Sequence, residues 1–324
     1  MKQAPREMPQ FDVTIAGELN LDLVLYGLPS DLPPEREIIA NDMALTLGAS
    51  SAIVAHNLAI LGDRVGFISR IGKDSLGDAA LDRLRGAGVD VSHVRRSNDA
   101  GSGLTVILHH GTWRNILTYL GTIAQLTFED LDIKYLCAAR HFHLSSFYLQ
   151  TALRPRVVDL FKVLKAAGLT ISMDTNDDPE DRWEGLREVL PYVDVLLPNE
   201  REALKISGEL DLNGALASLA EQVPTVVVKL GPEGSIARRG REQFRGVAVK
   251  VDAVDTIGAG DSFDAGFINQ YIRGADLETC LTYGNLAGAL STTKPGGTEA
   301  FRDKSHRERF FREHKIAGAS SGRN

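Results

Sequence analysis

Near the C-terminal end of the chain stand four residues, Gly258-Ala259-Gly260-Asp261, in which two permissive backbone positions precede a carboxylate. A helical pattern follows them. Phe263, Phe267 and Tyr271 recur at intervals of four, with Ile268 and Ile272 beside them, which makes one broad apolar face. Glycine allows conformations and close approaches that a side chain would block. The first amides of a helix have no internal partners, so Gly258 to Asp261 should aim several N–H groups at one spot. With the helix dipole behind them, they form a site for an anion such as a phosphate. Asp261 is the odd residue. As a helix cap it suits the dipole. Beside a phosphate it repels, unless its task is to take a proton from an attacking hydroxyl, as the aspartate does in kinase chemistry. The four residues alone leave both readings open.

Other stretches offer chemistry with an ordinary structural reading beside it. Pro198-Asn199-Glu200-Arg201-Glu202 follows a buried strand and opens a helix, placing it at the sheet edge where open α/β folds bind ligands. Asn199 and Glu202 share a helix face able to hold a hydrated metal, or they are a polar helix start. Lys229-Leu230-Gly231-Pro232-Glu233-Gly234 closes a valine-rich strand as a glycine turn. In Gly17-Glu18-Leu19-Asn20-Leu21-Asp22 the polar and apolar residues alternate, so Asn20 and Asp22 either line a cleft or solvate an edge. Arg114, on a hairpin, is able to grip a carboxylate bidentately, or is simply solvated.

Several patterns fail. Asp174-Thr175-Asn176-Asp177-Asp178 starts like a calcium loop, but Pro179 takes the glycine position and Gly185 that of the bidentate glutamate. His141 and His143 share a strand face without a third ligand, which favours hydrogen bonding over zinc. No Gly-x4-Gly-Lys-Ser/Thr string occurs, and no Gly-x-Gly-x-x-Gly follows the first strand; an ordinary P-loop and a dinucleotide oxidoreductase are disfavoured.

The elements that must hold these residues alternate between strand and helix. Strands are expected at residues 11–17, 65–69, 141–145, 169–174, 194–197 and 225–229, with helices between them, so the sheet is largely parallel with helices on both faces. Two excursions interrupt the pattern: extended runs at 18–26 and 36–47, and a hairpin of 103–109 with 115–120. Together they make a small second sheet. A hairpin at 235–249 precedes the helix that carries Asp261, and helices at 277–292 and 304–313 follow it. The composition, 324 residues with 43% hydrophobic and 24% charged, is ordinary for a globular protein. A formal charge of −7 gives no basic footprint for nucleic acid. Cys137 and Cys280 read as reduced and buried in a cytoplasmic protein. No segment reaches membrane-spanning length.

The thirteen-residue string from Asp255 to Phe267 closely resembles the C-terminal signature of the PfkB, or ribokinase-like, carbohydrate kinases, and the other motifs fall in that family's order from about residue 12 to 300. The resemblance implies a three-layer αβα kinase domain over 11–314 with a mostly parallel sheet. A small β-sheet lid is expected from about 18–47 and 100–121, with flexible tails at 1–10 and 315–324. It further implies that Gly258, Ala259 and Gly260 are the anion hole and Asp261 the catalytic base. Asn20, Asp22 and the turn Gly48-Ala49 would bind the sugar. The family often has Gly-Gly at that turn, and apolar sequence around Ile53 replaces an asparagine that ribokinases carry; both departures point away from ribose. Asn57, one turn on, is read as structural. Asn199, Lys229, Gly231, Gly234 and Asn285 would meet ATP. Glu202 would hold Mg2+ through water, and Asp255 a K+ ion beside the anion hole. The expected reaction is ATP-dependent phosphorylation of a primary hydroxyl on a small sugar, or on a sugar acid such as 2-keto-3-deoxygluconate gripped by Arg114. A nucleoside acceptor, with Tyr26, Trp113 and Tyr119 as its platform, and a non-catalytic sugar-binding protein are the alternatives. Retention of Asp261, both turn glycines and Glu202 argues against the latter. Lids in this family often pair, so a homodimer is expected.

Overall fold

The computed structural model describes residues 9–111 and 113–314. The expected tails therefore lie outside the described residues, save Pro9 and Gln10. Along the chain the strands are β1 (Val13–Ala16), β2 (Leu21–Tyr26), β3 (Asp42–Leu47), β4 (Val65–Gly72), β5 (Asp90–Ser97), β6 (Leu104–His109), β7 (Arg114–Tyr119), β8 (His141–Leu144), β9 (Thr170–Met173), β10 (Val195–Leu196), β11 (Thr225–Lys229), β12 (Ser235–Arg239) and β13 (Glu242–Gly246). Nine of them make one sheet in the order β13-β12-β11-β10-β9-β8-β1-β4-β5. Neighbours are parallel from β11 to β5, and β12 and β13 are antiparallel.

Between β11 and β4 the sheet is buried on both faces, and its strands read accordingly. β1 is Val-Thr-Ile-Ala with every residue buried, and β11 runs Thr-Val-Val-Val before its lysine. Continuous apolar strands of this kind belong to parallel sheets covered by helices. Alternate side chains serve two cores: Val226 and Val228 join Phe142, Phe161 and Leu164, whereas Val227 joins Ile15, Phe67, Phe263 and Phe267. His141 and His143 are wholly buried in a hydrogen-bonded ladder. His141 pairs with Thr170 and Ser172, and His143 with Ser172 and Ser145, each at 2.7–2.8 Å. Burial drives both imidazoles down to about 3, so they stay neutral. The hydrogen-bonding reading of the two histidines holds. Both cysteines are free; Cys280 is buried and Cys137 only partly.

The two excursions meet as expected, in a four-stranded sheet of order β3-β2-β6-β7 with β2 and β6 parallel. Register sets its faces. Asp22 lies beside Thr46 and Thr105, Val24 beside Ala44 and Ile107, and Thr105 beside Thr118. These residues look toward the large domain, where Val24 and Ile107 pack on Ile257. The opposite face carries Leu23, Leu25, Met43, Leu45, Leu117 and Tyr119.

Two expectations need correcting. The run from Arg36 forms a strand only from Asp42, because residues 36–41 are mostly exposed irregular chain. Strand β5 was not foreseen. It is an edge strand with Ser92, Arg95 and Arg96 exposed, and carries neither an apolar run nor clean alternation.

Candidate active site

The helix Ala259–Tyr271 begins at Gly258, whose φ of 68° lies in the left-handed region. A Cβ there would stand 2.5 Å from Gly297 Cα. No side chain caps this helix start; the Ala259 amide turns back to Thr256 O at 3.3 Å, and among the described residues the amides of Gly260 and Asp261 have no backbone partner. Asp261 sits in the first turn and is only 8% exposed. Burial, then the charge of Asp174, raises its carboxyl to about 6.

Across from it, Asp22 occupies a slot in the small sheet. Burial, then the charge of Asp261, lifts it to about 7. Asn20 Nδ2 donates to Asp22 Oδ1 at 3.3 Å and to Thr105 Oγ1 at 3.4 Å. Gly48 roofs the slot: a Cβ there would lie 1.9 Å from Asp22 Oδ1 and 2.9 Å from Asn20 Nδ2. Ala49 has φ 63° and ψ 119°, strain of the sort that persists where surroundings over-determine a functional turn. Glu18 ties that turn to β1 by accepting from Ser51 N at 3.1 Å and Ser51 Oγ at 2.7 Å. The buried Thr46 hydroxyl, beside Asp22 in register, has no hydrogen-bond partner. Asn57 donates to Ser262 Oγ and Gly297 O, both at 3.0 Å, and is structural as expected.

A charge cluster underlies the turn. Lys229 Nζ donates to Asp174 at 2.7 Å and to Asp264 at 3.2 and 3.3 Å. It also comes within 3.4 Å of where a Gly260 Cβ would stand. Glu202 and Asn199 form a reciprocal cap: Asn199 N donates to Glu202 Oε2 at 2.8 Å and Glu202 N to Asn199 Oδ1 at 2.9 Å. Burial, then Asp174, raises Glu202 to about 7. Burial also lifts Asp264 well above the carboxylate range, although Lys229 opposes it. Three carboxyl groups thus surround one ammonium. Burial opposes the charge on two of them, so their acidic oxygens stand ready to ionise when a divalent cation comes near. Among the described residues no three acidic, histidine or cysteine side chains converge as direct ligands.

The nucleotide candidates also assemble. Gly231 and Gly234 have φ of 56° and 89°, and a Gly234 Cβ would meet Gly246 O at 2.2 Å. Asn285 reaches the strand that leaves this loop, donating to Ser235 Oγ at 2.9 Å. Asn199 bridges Lys229 through the backbone.

Arg114 lands on the chain just before the Gly258–Gly260 turn, where Nη1 donates to Thr256 Oγ1 at 2.7 Å. Between them lies a cleft of about 210 Å³ lined by His109, Trp113, Arg114, Val254, Asp255 and Thr256. Asp255 is engaged on both oxygens. Oδ1 accepts from Ile257 N at 2.9 Å; Oδ2 accepts from Tyr26 Oη at 2.9 Å and from Gly296 N at 3.1 Å. Three hydrogens point at this 3%-exposed carboxylate and leave at most one acceptor position, on Oδ1, so its oxygens fit a K+ ion poorly. The three aromatic residues considered as a base platform do not gather: Tyr26 is spent on Asp255, Trp113 stacks on His110, and Tyr119 is on the outer face.

Sequence reasoning missed Asp174 and Asp264 as members of the site. The first was weighed only as the start of a calcium loop, yet its place after a buried strand was a usable signal. Asp264, three residues after Asp261 on one helix, was another.

The sequence matches the description "pfkB family carbohydrate kinase" over residues 10–304. The chain belongs to that family. An ATP-dependent ribose-1-phosphate kinase from Halopiger xanaduensis is 32% identical over 89% of this chain and 94% of its own. A 2-dehydro-3-deoxygalactonokinase from Haloferax volcanii is 31% identical over 82% and 88%. Among solved structures, a putative Ribokinase II from E. coli in complex with ATP and Mg2+ superposes with a TM-score of 0.82, at 26% identity, over 94% of this chain and 99% of that one. The fold is ribokinase-like, and the protein is an ATP-dependent carbohydrate kinase. Among its described residues no helix is long and apolar enough to cross a membrane.

Proposed function

We propose that this kinase phosphorylates a primary hydroxyl of a small sugar carrying an anionic group, a sugar acid first among them. The observation that carries the reading is the placement of Asp261, inside an uncapped helix start and facing Asp22 across the cleft. Asn20, Asp22 and the Gly48-Ala49 turn hold the sugar hydroxyls. Asp261 takes the proton as the hydroxyl oxygen bonds to the γ-phosphorus and the bond to the ADP oxygen breaks. The amides from Gly258 to Asp261 offset the charge that spreads over the transferring group. Asn199, Lys229, Gly231, Gly234 and Asn285 line the nucleotide side. Glu202 would hold Mg2+ through water, and the bound ion would neutralise phosphate charge. Arg114, paired with a threonine and with no carboxylate among the described residues, supports an anionic substituent. So does the name of the Haloferax relative.

The small sheet, over about 18–47 and 100–121 of a domain spanning 11–314, acts as a lid that excludes water. Its apolar outer face, with Met43, Leu117 and Tyr119 each more than half exposed, pairs with a second copy. The test is ADP release with Mg-ATP over ribose, fructose, ribose 1-phosphate, 2-keto-3-deoxygluconate, 2-keto-3-deoxygalactonate and adenosine, with Asp261→Asn alongside. An acid-dependent signal lost in the variant is expected. A signal surviving the variant sinks Asp261 as base. A response to adenosine alone moves the acceptor to nucleosides, and ATP binding without any turnover favours the non-catalytic reading.

A further inference from the structure

The segment leading into the anion hole is built largely by the small sheet. Ile257 packs against Val24 and Ile107. Tyr26, at the end of β2, bonds Asp255 across 229 positions of sequence, and Arg114, at the start of β7, bonds Thr256. From β3, Thr46 lies against Gly296, where a Cβ would meet its hydroxyl at 2.5 Å. Asp255 is the hub of this contact, since its other partners are the amides of Ile257 and Gly296. A buried carboxylate needs positive partners, from hydrogen-bond donors or from an ion. Here donors reach both oxygens, one on Oδ1 and two on Oδ2. Burial, then the charge of Asp255, pushes the Tyr26 phenol upward, so it remains a donor across the working pH range.

We propose that Tyr26 is a positioning residue for phosphoryl transfer: its hydroxyl, with two backbone amides, supplies Asp255 with the positive partners that a monovalent cation would otherwise provide, so this kinase turns over without such a cation. The inference rests on the anion-hole reading of Gly258–Gly260. Tyr26 also stands on the small sheet, so the hydrogen bond forms only when that sheet sits over the cleft. The order of the anion hole is thereby tied to closure. The tie acts on the phosphoryl group and not on ATP capture, so its loss shows in kcat rather than in the KM for ATP.

The experiment compares steady-state rates of wild type and Tyr26→Phe with the best acceptor, in KCl, in NaCl and in tetramethylammonium chloride. Wild type is expected to keep the same rate in all three. Tyr26→Phe, which removes one oxygen and leaves the ring in place, is expected to lose about tenfold or more in kcat with KM for ATP little changed. It should also recover part of that loss in KCl, as K+ takes the vacated place at Asp255. Its melting temperature should stay near that of wild type, which a merely structural role would not predict together with a cation response. Strong activation of wild type by K+ overturns the proposal, and so does a Tyr26→Phe variant whose kcat is unchanged or whose loss ignores K+. Asp261→Asn in the same assay keeps the two readings apart. If it retains the full rate, the site assignment has failed; if it is dead while wild type requires K+, only the Tyr26 proposal has.

Discussion

Substituting Gly48 by alanine puts one carbon into the slot proposed for the sugar and nothing on the side proposed for the nucleotide. The added Cβ would stand 1.9 Å from Asp22 Oδ1 and 2.3 Å from its Cγ, whereas ordinary contact begins at 3.4 Å. The carboxylate must then retreat by about 1.5 Å, and it takes the amide of Asn20 with it. Misplacing a positioning group by about 1 Å costs roughly 10²-fold, which is about 2.7 kcal/mol of transition-state stabilisation. Gly48→Ala should therefore lower kcat/KM for the acceptor about 10²-fold, chiefly by misaligning the hydroxyl before Asp261. KM for Mg-ATP should hold, because Asn199, Gly231, Gly234 and Asn285 lie away from this turn. The assay is coupled ADP release at saturating Mg-ATP with the acceptor varied, and urea unfolding confirms that the variant folds. If Gly48→Ala keeps kcat/KM within about threefold of wild type, Asp22 does not orient the acceptor and the slot has been misread.

Other consequences follow from the charges and faces. A base must be ionised, and Asp261 is raised to about 6, so kcat/KM should fall about tenfold per pH unit below about 6. Asp22, at about 7, adds to the loss in the same direction; a profile flat between about pH 5 and 8 would contradict both assignments. Lys229→Met strips the only cation from a cluster of buried carboxyl groups and should cost about 3–5 kcal/mol in urea unfolding at neutral pH. Asp264→Asn should cost less, about 1 kcal/mol, because burial opposes the charge of that carboxyl and the amide keeps an acceptor for Lys229; equal losses in the two variants would refute this ordering. Leu117→Glu places a charge on the exposed outer face of the small sheet, and light scattering should show it converting a dimer to a monomer. A wild-type mass equal to one chain removes that interface.

What could be read along the chain was whatever a local pattern carries. β1 and β11 announce themselves as unbroken apolar runs. The helix Leu277–Thr292 has its cap at Asp276, and the helix Lys304–Glu313 has its cap at Asp303. The string Asp255 to Phe267 showed both the turn and the carboxylate, because the residues that form an anion hole at a helix start must be consecutive. Contacts between distant strand ends leave no such trace. Lys229 and Gly231 were picked from their own loop, but nothing in that loop shows that Asp174 and Asp264, 55 and 35 positions away, would close on the lysine. Nor does the run Leu21–Tyr26 show that its last side chain reaches Asp255.

The same division explains why the K+ expectation and the geometry part company. The sequence around Asp255 contains the residue a cation would use, while the residue that replaces the cation lies on another sheet. A motif reports which groups are present at a site; which of them remain free to bind is decided by neighbours the motif does not contain. Asp255 and Arg114 make the point in opposite directions. The carboxylate was expected to be available and already accepts from three donors. The guanidinium, readable as gripping a carboxylate or as simply solvated, stays exposed and also reaches Thr256 Oγ1, with no carboxylate partner among the described residues.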